Sequence, residues 1–241
     1  METPHASPGS VIVLWAKKES KVHTLISLDR NTALACTIAC ASLPAWAADP
    51  QLASRNLAKA ELAAERIAIT GKVISAWNVQ DKNGRHILVL TSLDGPSHDQ
   101  PNKGRMERTD LRASFYSKAR GQWVEEWQIK DGVDCPMLDH DAGFFSSHVT
   151  VTDLNDDGIA EVTVPYKMFC GGGVDSDTIK VILRQGSEKY AIRGESLVRL
   201  HGQESFGGSY KADASLALPR NAAYKKHLIK VWKQVYIRND S

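Results

Sequence analysis

Apolar and polar residues alternate after residue 66, where the apolar side chains from Ile67 to Val79 fall mostly on odd-numbered positions. An alternation of period two places one set of side chains on a single face of a β-strand. The next apolar run, His86 to Thr91, follows Asn83 and Gly84. Asn-Gly favours a tight hairpin turn because both residues tolerate positive φ. The pattern therefore predicts a β-hairpin from Ile67 to Ser92.

Three further hairpins are predicted from the same alternation and from polar or glycine-containing turns. The paired segments are 111–117 with 123–129, 144–152 with 161–166, and 178–184 with 190–200. The polar stretch Asp94 to Thr109 between the first two hairpins is predicted to be an exposed loop or a mobile lid.

Helical spacing occurs near both ends of this β-rich region. Residues 50–65 are predicted to form a short helix, with Asp49 as its cap and Pro50 at its first position. Apolar residues from Tyr224 to Val235 share one side of a C-terminal helix, and the lysines occupy its solvated side. The predicted fold is mainly β, an antiparallel meander arranged as a sandwich, a barrel or a propeller-like structure. The C-terminal helix is expected to cover one edge.

The N-terminal region carries the parts of a secretory signal peptide. Lys21 and Arg30 precede a short apolar stretch over residues 33–43, and small residues at Ala45 and Ala47 precede the expected cleavage point. The apolar core is too short to span a bilayer. The alternative interpretation is a buried Ala-rich helix.

Cleavage at this point divides the chain into two parts. Residues 1–47 would comprise an over-extended start and the signal peptide, because an export signal rarely begins so far into a chain. Residues 48–241 would form a single extracytoplasmic β-rich domain without a transmembrane segment. The predicted location is therefore periplasmic or secreted.

Charge is balanced over the chain, with 30 lysines and arginines against 28 aspartates and glutamates and a formal net charge of +2. Nucleic-acid binding normally requires a concentrated basic face. We therefore expect no nucleic-acid partner, and an envelope polysaccharide or a protein is the expected partner.

Cysteine usage agrees with export. Cys36 and Cys40 would leave with the signal peptide, so the mature chain keeps only Cys135 and Cys170. Two cysteines in an oxidising compartment predict one disulfide. The bridge would tie the segment before residue 153 to the segment after residue 161, and would fix the same hairpin as the loop described next. The alternative is a pair of free buried thiols.

The acidic loop, Asp153–Glu161, has the most distinctive spacing in the chain. Oxygen-bearing side chains occupy alternate positions at Asp153, Asn155 and Asp157, Gly158 permits a sharp turn, and Glu161 closes the site from the ninth position. Hard oxygen donors with this spacing suit a divalent cation, and calcium is the expected ion.

The loop does not fit an EF-hand. An EF-hand has a bidentate Glu at its twelfth position and helices on both sides, whereas that position is Val164 here and the flanking segments read as strands. The expected ion is therefore structural and holds two strands together. Magnesium, or an acidic turn with no ion, are the alternatives.

Several short motifs follow one another in a distinctive order between Trp123 and Gly194. They are Asp134-Cys135, Phe144-Phe145, the run from Thr152 to Thr163, Tyr166-Lys167, Cys170, Lys180 and the run from Lys189 to Gly194. This order resembles a family of exported bacterial proteins that are often labelled surface polysaccharide biosynthesis proteins. The acidic loop alone is similar to the calcium loops of integrin-type β-propeller repeats. The resemblance implies an envelope location and a β-rich fold.

Common catalytic signatures are missing from the sequence, among them Gly-x-Ser-x-Gly, Ser-x-x-Lys, His-Glu-x-x-His and a phosphate-binding glycine loop. We therefore expect a binding or structural domain more than an enzyme.

Two alternatives remain, an enzyme that acts on polysaccharide and an inhibitor that binds an envelope enzyme through residues 94–109. The enzyme would use two carboxylates among Asp139, Asp141, Asp175 and Asp177 as acid and base. Further candidates are two histidines and a pair of tryptophans that could form a sugar-stacking platform or belong to the core. The residues concerned are Asp139, His140, Asp141, His148, Asp175, Asp177, Trp123 and Trp127.

Overall fold

The computed structural model describes residues 52–99 and 104–239, so the predicted signal peptide and the Asp49 cap lie outside the described residues. In chain order the strands are β1 (Ala53–Asn56), β2 (Lys72–Asp81), β3 (Gly84–Gly95), β4 (Arg108–Ala119), β5 (Gln122–Asp134), β6 (Asp139–Phe144), β7 (Thr150–Thr152), β8 (Glu161–Gly171), β9 (Thr178–Gln185), β10 (Glu188–Glu195), β11 (Leu197–Arg199), β12 (Phe206–Gly207), β13 (Tyr210–Ala212) and β14 (Ile237–Asn239). The helices are α1 (Lys59–Ala64) and α2 (Ala222–Val235), with 3-10 turns at Ser146–His148, Ala214–Ala217 and Pro219–Asn221. The mainly β prediction is confirmed.

The strands form two large antiparallel sheets. The first sheet has the order β1-β2-β3-β4-β5, a simple meander in which each strand pairs with its neighbours in the sequence. The second has the order β13-β10-β9-β8-β6, and β7 also pairs with β8. A small third sheet, β12-β11-β14, contains the parallel pair β11 and β14. Neither large sheet closes on itself into a barrel.

The two large sheets share one hydrophobic core. In β3, Leu88 and Leu90 belong to this core, whereas Ile87 belongs to a separate cluster on the outer face of the first sheet. The second sheet contributes Val162 from β8 and Ile182 from β9 to the shared core. Successive side chains of a strand point to opposite faces, so each large sheet presents one face to its partner. Of the predicted arrangements, the structure has the sandwich.

Helices cover the outer faces of the sandwich. The predicted C-terminal helix is present as α2, and its buried residues Tyr224, Leu228, Val231 and Val235 cluster with Leu183 of β9. It therefore covers a face of the second sheet and not an edge, which corrects the prediction. The short helix α1 lies against the outer face of the first sheet. No helix in residues 52–99 and 104–239 has the length and apolar character needed to cross a bilayer.

The N-terminal helix is shorter than predicted. Residues Ala53–Asn56 form β1, which pairs antiparallel with β2, and only Lys59–Ala64 are helical. The strand satisfies the backbone groups of β2 along its outer edge, with Ala53 opposite Gln80. Pairing across a sheet therefore outweighs the local helical propensity of this segment.

The first predicted hairpin is present as β2 and β3, but it begins at Lys72 and turns through Lys82 and Asn83. Its pairing starts after Gly71, which has φ of +92° and approaches the opposite strand closely. A Cβ at that position would lie 2.7 Å from the Ser92 carbonyl oxygen. Only glycine allows both the positive φ and the close approach. Residues 67 to 70 therefore connect α1 to the sheet and are not part of it.

The tryptophans do not form a stacking platform. A β-bulge in β4 and β5 lies between the pairs Phe115 with Trp127 and Tyr116 with Glu125. The extra residue reverses the alternation, so Trp127 is buried in the shared core and Trp123 packs on the outer face. Spacing of four residues predicts a shared face only when a strand has no bulge.

The predicted loop over residues 94–109 is partly strand. Asp94 pairs with Thr109 where β3 continues to Gly95 and β4 begins at Arg108. Ser97 and Glu107 beyond these strand ends are buried. The prediction of an exposed loop is therefore wrong at these positions.

The predicted disulfide is confirmed between Cys135 and Cys170, which lie 35 positions apart in the sequence with their Cα atoms 5.6 Å apart. Cys135 directly follows β5 of the first sheet, and Cys170 lies in β8 of the second sheet. The bridge therefore joins the two sheets. The bridge lies near the end of β8, whereas the acidic loop precedes the start of that strand. The prediction that the bridge and the loop fix the same hairpin is therefore wrong.

Candidate metal centre

The acidic loop joins β7 to β8, as the sequence predicts. Thr152 pairs with Glu161 and Thr150 pairs with Thr163 on either side of it. The chain reverses through two residues with positive φ, Asp156 at +58° and Gly158 at +79°. Asp and Gly are among the residues that adopt this conformation most readily. The local sequence therefore accounts for the turn.

The loop is closed by its own side chains, which accept hydrogen bonds from backbone N–H groups. The Asp157 N–H donates to Asp153 Oδ1 (3.0 Å) and is shared with Asn155 Oδ1 (3.2 Å). The Gly158 N–H donates to Asp153 Oδ2 (2.9 Å), and the Ile159 N–H donates to Asp157 Oδ1 (2.8 Å). The structure thus gathers Asp153, Asn155 and Asp157, three of the predicted ligands, into one hydrogen-bonded turn.

Glu161, the fourth predicted ligand, is fully buried at the base of the loop. Its Oε2 accepts from the Leu154 N–H (2.8 Å) and from the Thr152 hydroxyl (3.4 Å). Its Oε1 is also buried and accepts no hydrogen bond of good geometry within residues 52–99 and 104–239; the Tyr224 hydroxyl interacts with this carboxylate but donates to Gln185 Oε1. Burial, and then the charges of Asp153 and Asp157, raise the pKa of Glu161 to about 7.

This donor chemistry fits a hard cation. An unpaired buried carboxylate oxygen is costly, and a divalent ion beside it would supply the missing partner. Most of the other carboxylate oxygens of the loop are already held by backbone or amide donors. Residues 52–99 and 104–239 contain no cluster of three or more His, Cys, Asp or Glu side chains that could hold a metal ion by themselves. An ion at the loop would have to take over oxygens that now accept hydrogen bonds, including the amide oxygen of Asn155.

The second sheet and helix α2 support the loop from one side. Gln185 in β9 donates from Nε2 to both carboxylate oxygens of Asp157, at 3.1 and 2.9 Å. The Tyr224 hydroxyl of α2 donates to Gln185 Oε1 (3.0 Å). Burial, and then the charge of Glu161, raise the pKa of Tyr224 to about 12. No local pattern in the sequence indicates either residue, because both are distant from the loop in the chain.

The first sheet supports the loop from another side through Asp81, which is buried at the end of β2. Asp81 Oδ2 accepts from the Ala160 N–H (2.9 Å), and Oδ1 lies 2.8 Å from Nε2 of the buried His86. The Nδ1 atom of His86 lies 2.8 Å from the hydroxyl of Ser117, which donates to Glu126. The loop is therefore attached to both sheets of the sandwich.

Comparisons of the chain with protein-family models, curated proteins and solved structures find no match. The resemblance to exported envelope proteins therefore stays a prediction.

The other residues that the sequence singled out are not gathered at the loop. Asp139, His140 and Asp141 lie in β6, and Asp141 pairs with Lys167 of β8 (2.6 Å). His148 ends a 3-10 turn and is not in a strand. None of these residues contacts the acidic loop in a hydrogen bond or ion pair among the described residues. The acidic loop is therefore the best supported candidate site.

Proposed function

We propose that the chain is an exported β-sandwich domain of the cell envelope in which the acidic loop binds one structural calcium ion. The observation that carries this proposal is the fully buried Glu161, whose Oε1 atom accepts no hydrogen bond of good geometry among the described residues. Asp153, Asn155, Asp157 and Glu161 would hold the ion. Calcium would neutralise charge where the protein itself supplies too few donors.

A structural role suits the position of the loop. Gln185 attaches it to the second sheet, because its Nε2 lies 2.9 Å from Asp157 Oδ2. Asp81 attaches it to the first sheet, because its Oδ2 lies 2.9 Å from the Ala160 nitrogen. A bound ion would stabilise the β7–β8 connection and, through these contacts, the packing of the two sheets.

Export is supported by the N-terminal pattern of residues 1–47 and by the disulfide, because disulfides persist mainly in oxidising compartments. Within the envelope the domain would bind a polysaccharide or a protein partner, or serve as a structural component. Two of the four carboxylates considered for a polysaccharide-active enzyme are engaged in ion pairs, Asp141 with Lys167 and the buried Asp177 with Arg238 (3.3 Å), which disfavours them as acid and base.

Thermal unfolding of the full-length chain, with calcium or with EGTA, tests the calcium proposal. At a free calcium concentration of about 100 times its Kd, binding should add about 2.7 kcal/mol to the free energy of unfolding. The double variant Asp153→Ala, Asp157→Ala should lose this response. A magnesium series measures how far the site prefers the larger ion.

The matched control is Asp156→Asn, which removes one charge from the same loop at an exposed position that is not a predicted ligand. Asn is chosen because it tolerates the positive φ of Asp156. This variant should keep the calcium response. If the wild type melts identically in calcium and EGTA, or if the double variant still responds, the loop is an acidic turn and the proposal is wrong.

A further inference from the structure

A polar hollow, separate from the acidic loop, lies on the outer face of the first sheet. It has a volume of about 370 Å³, and its lining includes Thr70, Thr91, Leu93, Arg112 and Lys130. It opens near the end of β3 that is remote from the acidic loop, since the loop contacts Asp81 at the opposite end of the β2–β3 hairpin. We call this hollow the Arg112 pocket. Its volume falls within the range of small-molecule sites.

The Arg112 pocket contains two unpaired cations. Arg112 in β4 lies directly opposite Lys130 in β5, on the same face of the sheet. Like charges in opposite positions destabilise a sheet. Neither side chain makes an ion pair or a side-chain hydrogen bond with any residue in 52–99 or 104–239. An anion between them would relieve the repulsion.

The acidic residues of the lining are engaged elsewhere. Asp110 pairs with Arg108 (3.2 Å). Asp131 turns towards the second sheet, where it accepts from Lys180 Nζ (2.5 Å) and from the Tyr166 hydroxyl (2.7 Å). The pocket therefore keeps an excess of positive charge.

The hydroxyl residues Thr70 and Thr91 and the apolar residues Leu93 and Leu111 also line the pocket. Leu93 is 44% exposed at the rim. These groups suit a ligand that has hydroxyls and an apolar ring face as well as a negative charge. A bare inorganic anion has the charge but no apolar face.

We propose that the Arg112 pocket binds a small hydroxylated carboxylate of about the size of one acidic sugar unit. The planar guanidinium of Arg112 matches a carboxylate in a bidentate contact, and Lys130 adds a second charge. Hydroxyls of the ligand would meet Thr70 and Thr91. This site is separate from the acidic loop and does not depend on calcium.

Isothermal titration of the full-length chain with D-glucuronate tests the proposal, with D-glucose as the neutral counterpart and inorganic phosphate as the bare anion. Glucuronate should bind and glucose should not. Arg112→Gln should weaken glucuronate binding by about 10- to 100-fold, since a hydrogen bond to a charged group is lost. Lys189→Gln removes one exposed lysine from β10 and should leave binding unchanged.

The same titration is repeated in EGTA, where glucuronate binding should persist. The outcome therefore separates this site from the calcium proposal, because either one can fail alone. Circular dichroism checks that Arg112→Gln is folded, and Lys130→Gln provides a second variant that should also weaken binding. No binding of glucuronate, equal binding of glucose, or unchanged binding in the folded Arg112→Gln variant would overturn the proposal. Tighter binding of phosphate would overturn the assignment to a carboxylate.

Discussion

Replacing both Cys135 and Cys170 with serine is expected to lower the free energy of unfolding by about 3 to 4 kcal/mol. The bridge closes a long segment of chain, so its loss lets the unfolded state gain conformational freedom. It also joins the end of β5 to β8, and its removal leaves the two sheets without their covalent link. Urea unfolding followed by tryptophan fluorescence measures the change, because Trp127 is buried in the shared core.

The reduced wild-type protein is the control for this variant. It retains both sulfur atoms, so it separates loss of the bond from the burial of a serine hydroxyl at position 135, where the cysteine is fully buried. Reduced wild type and double variant should unfold at similar urea concentrations. If the oxidised and reduced proteins have the same midpoint, the bridge does not stabilise the sandwich.

Raising the pH from 5 to 8 without calcium is expected to lower the free energy of unfolding by about 2 to 3 kcal/mol through Glu161. Its pKa is about 7 in the folded protein against an ordinary value of 4.5. The folded state therefore holds a proton that the unfolded state has already lost. This contribution is fully present below pH 4.5 and disappears as the pH rises through 7. Calcium should restore the lost stability at pH 8, because it binds the ionised carboxylate.

The difference between wild type and Glu161→Gln isolates this effect. His227, whose pKa is lowered by burial and by Lys230, changes stability in the opposite sense in both proteins and cancels in the comparison. Hydrogen bonds from Lys180 and Tyr166 outweigh the effect of burial and lower the pKa of Asp131, which titrates below this range. The variant should show a smaller loss of stability towards pH 8. Equal slopes in the two proteins would show that Glu161 is not the titrating group.

Sequence periodicity accounts for much of the fold and for few of its details. The continuous apolar run of β3 is buried on both faces, and the helical spacing of α2 corresponds to one buried face, because burial follows the local hydrophobic pattern. The β-strand at Ala53–Asn56 and the bulge beside Trp127 depend on pairing partners far along the chain. Local patterns therefore predict which residues are buried more reliably than where they pair.

The candidate site likewise combines a turn that the local sequence predicts with contacts from distant residues that it does not predict. Asp153, Asn155 and Asp157 come together because they are neighbours in a turn that the sequence itself specifies. Gln185 and Tyr224 reach the loop only through the packing of β9 and α2 on it. Asp81 arrives from the first sheet, 79 positions away from Ala160. No local spacing in the sequence indicates these supporting contacts.

Calorimetric titration of calcium into the full-length wild type and into Glu161→Gln at pH 8 tests the central claim most directly. The acidic loop should give one calcium site in the wild type. Loss of the buried carboxylate charge should weaken that site by at least about 10-fold, since contacts to charged groups contribute about 1.5 to 3 kcal/mol. Glu125→Gln, which neutralises an exposed glutamate of β5, should bind as the wild type does. Absence of calcium binding to the wild type, or equal affinity in Glu161→Gln, would contradict the assignment of the loop as a calcium site.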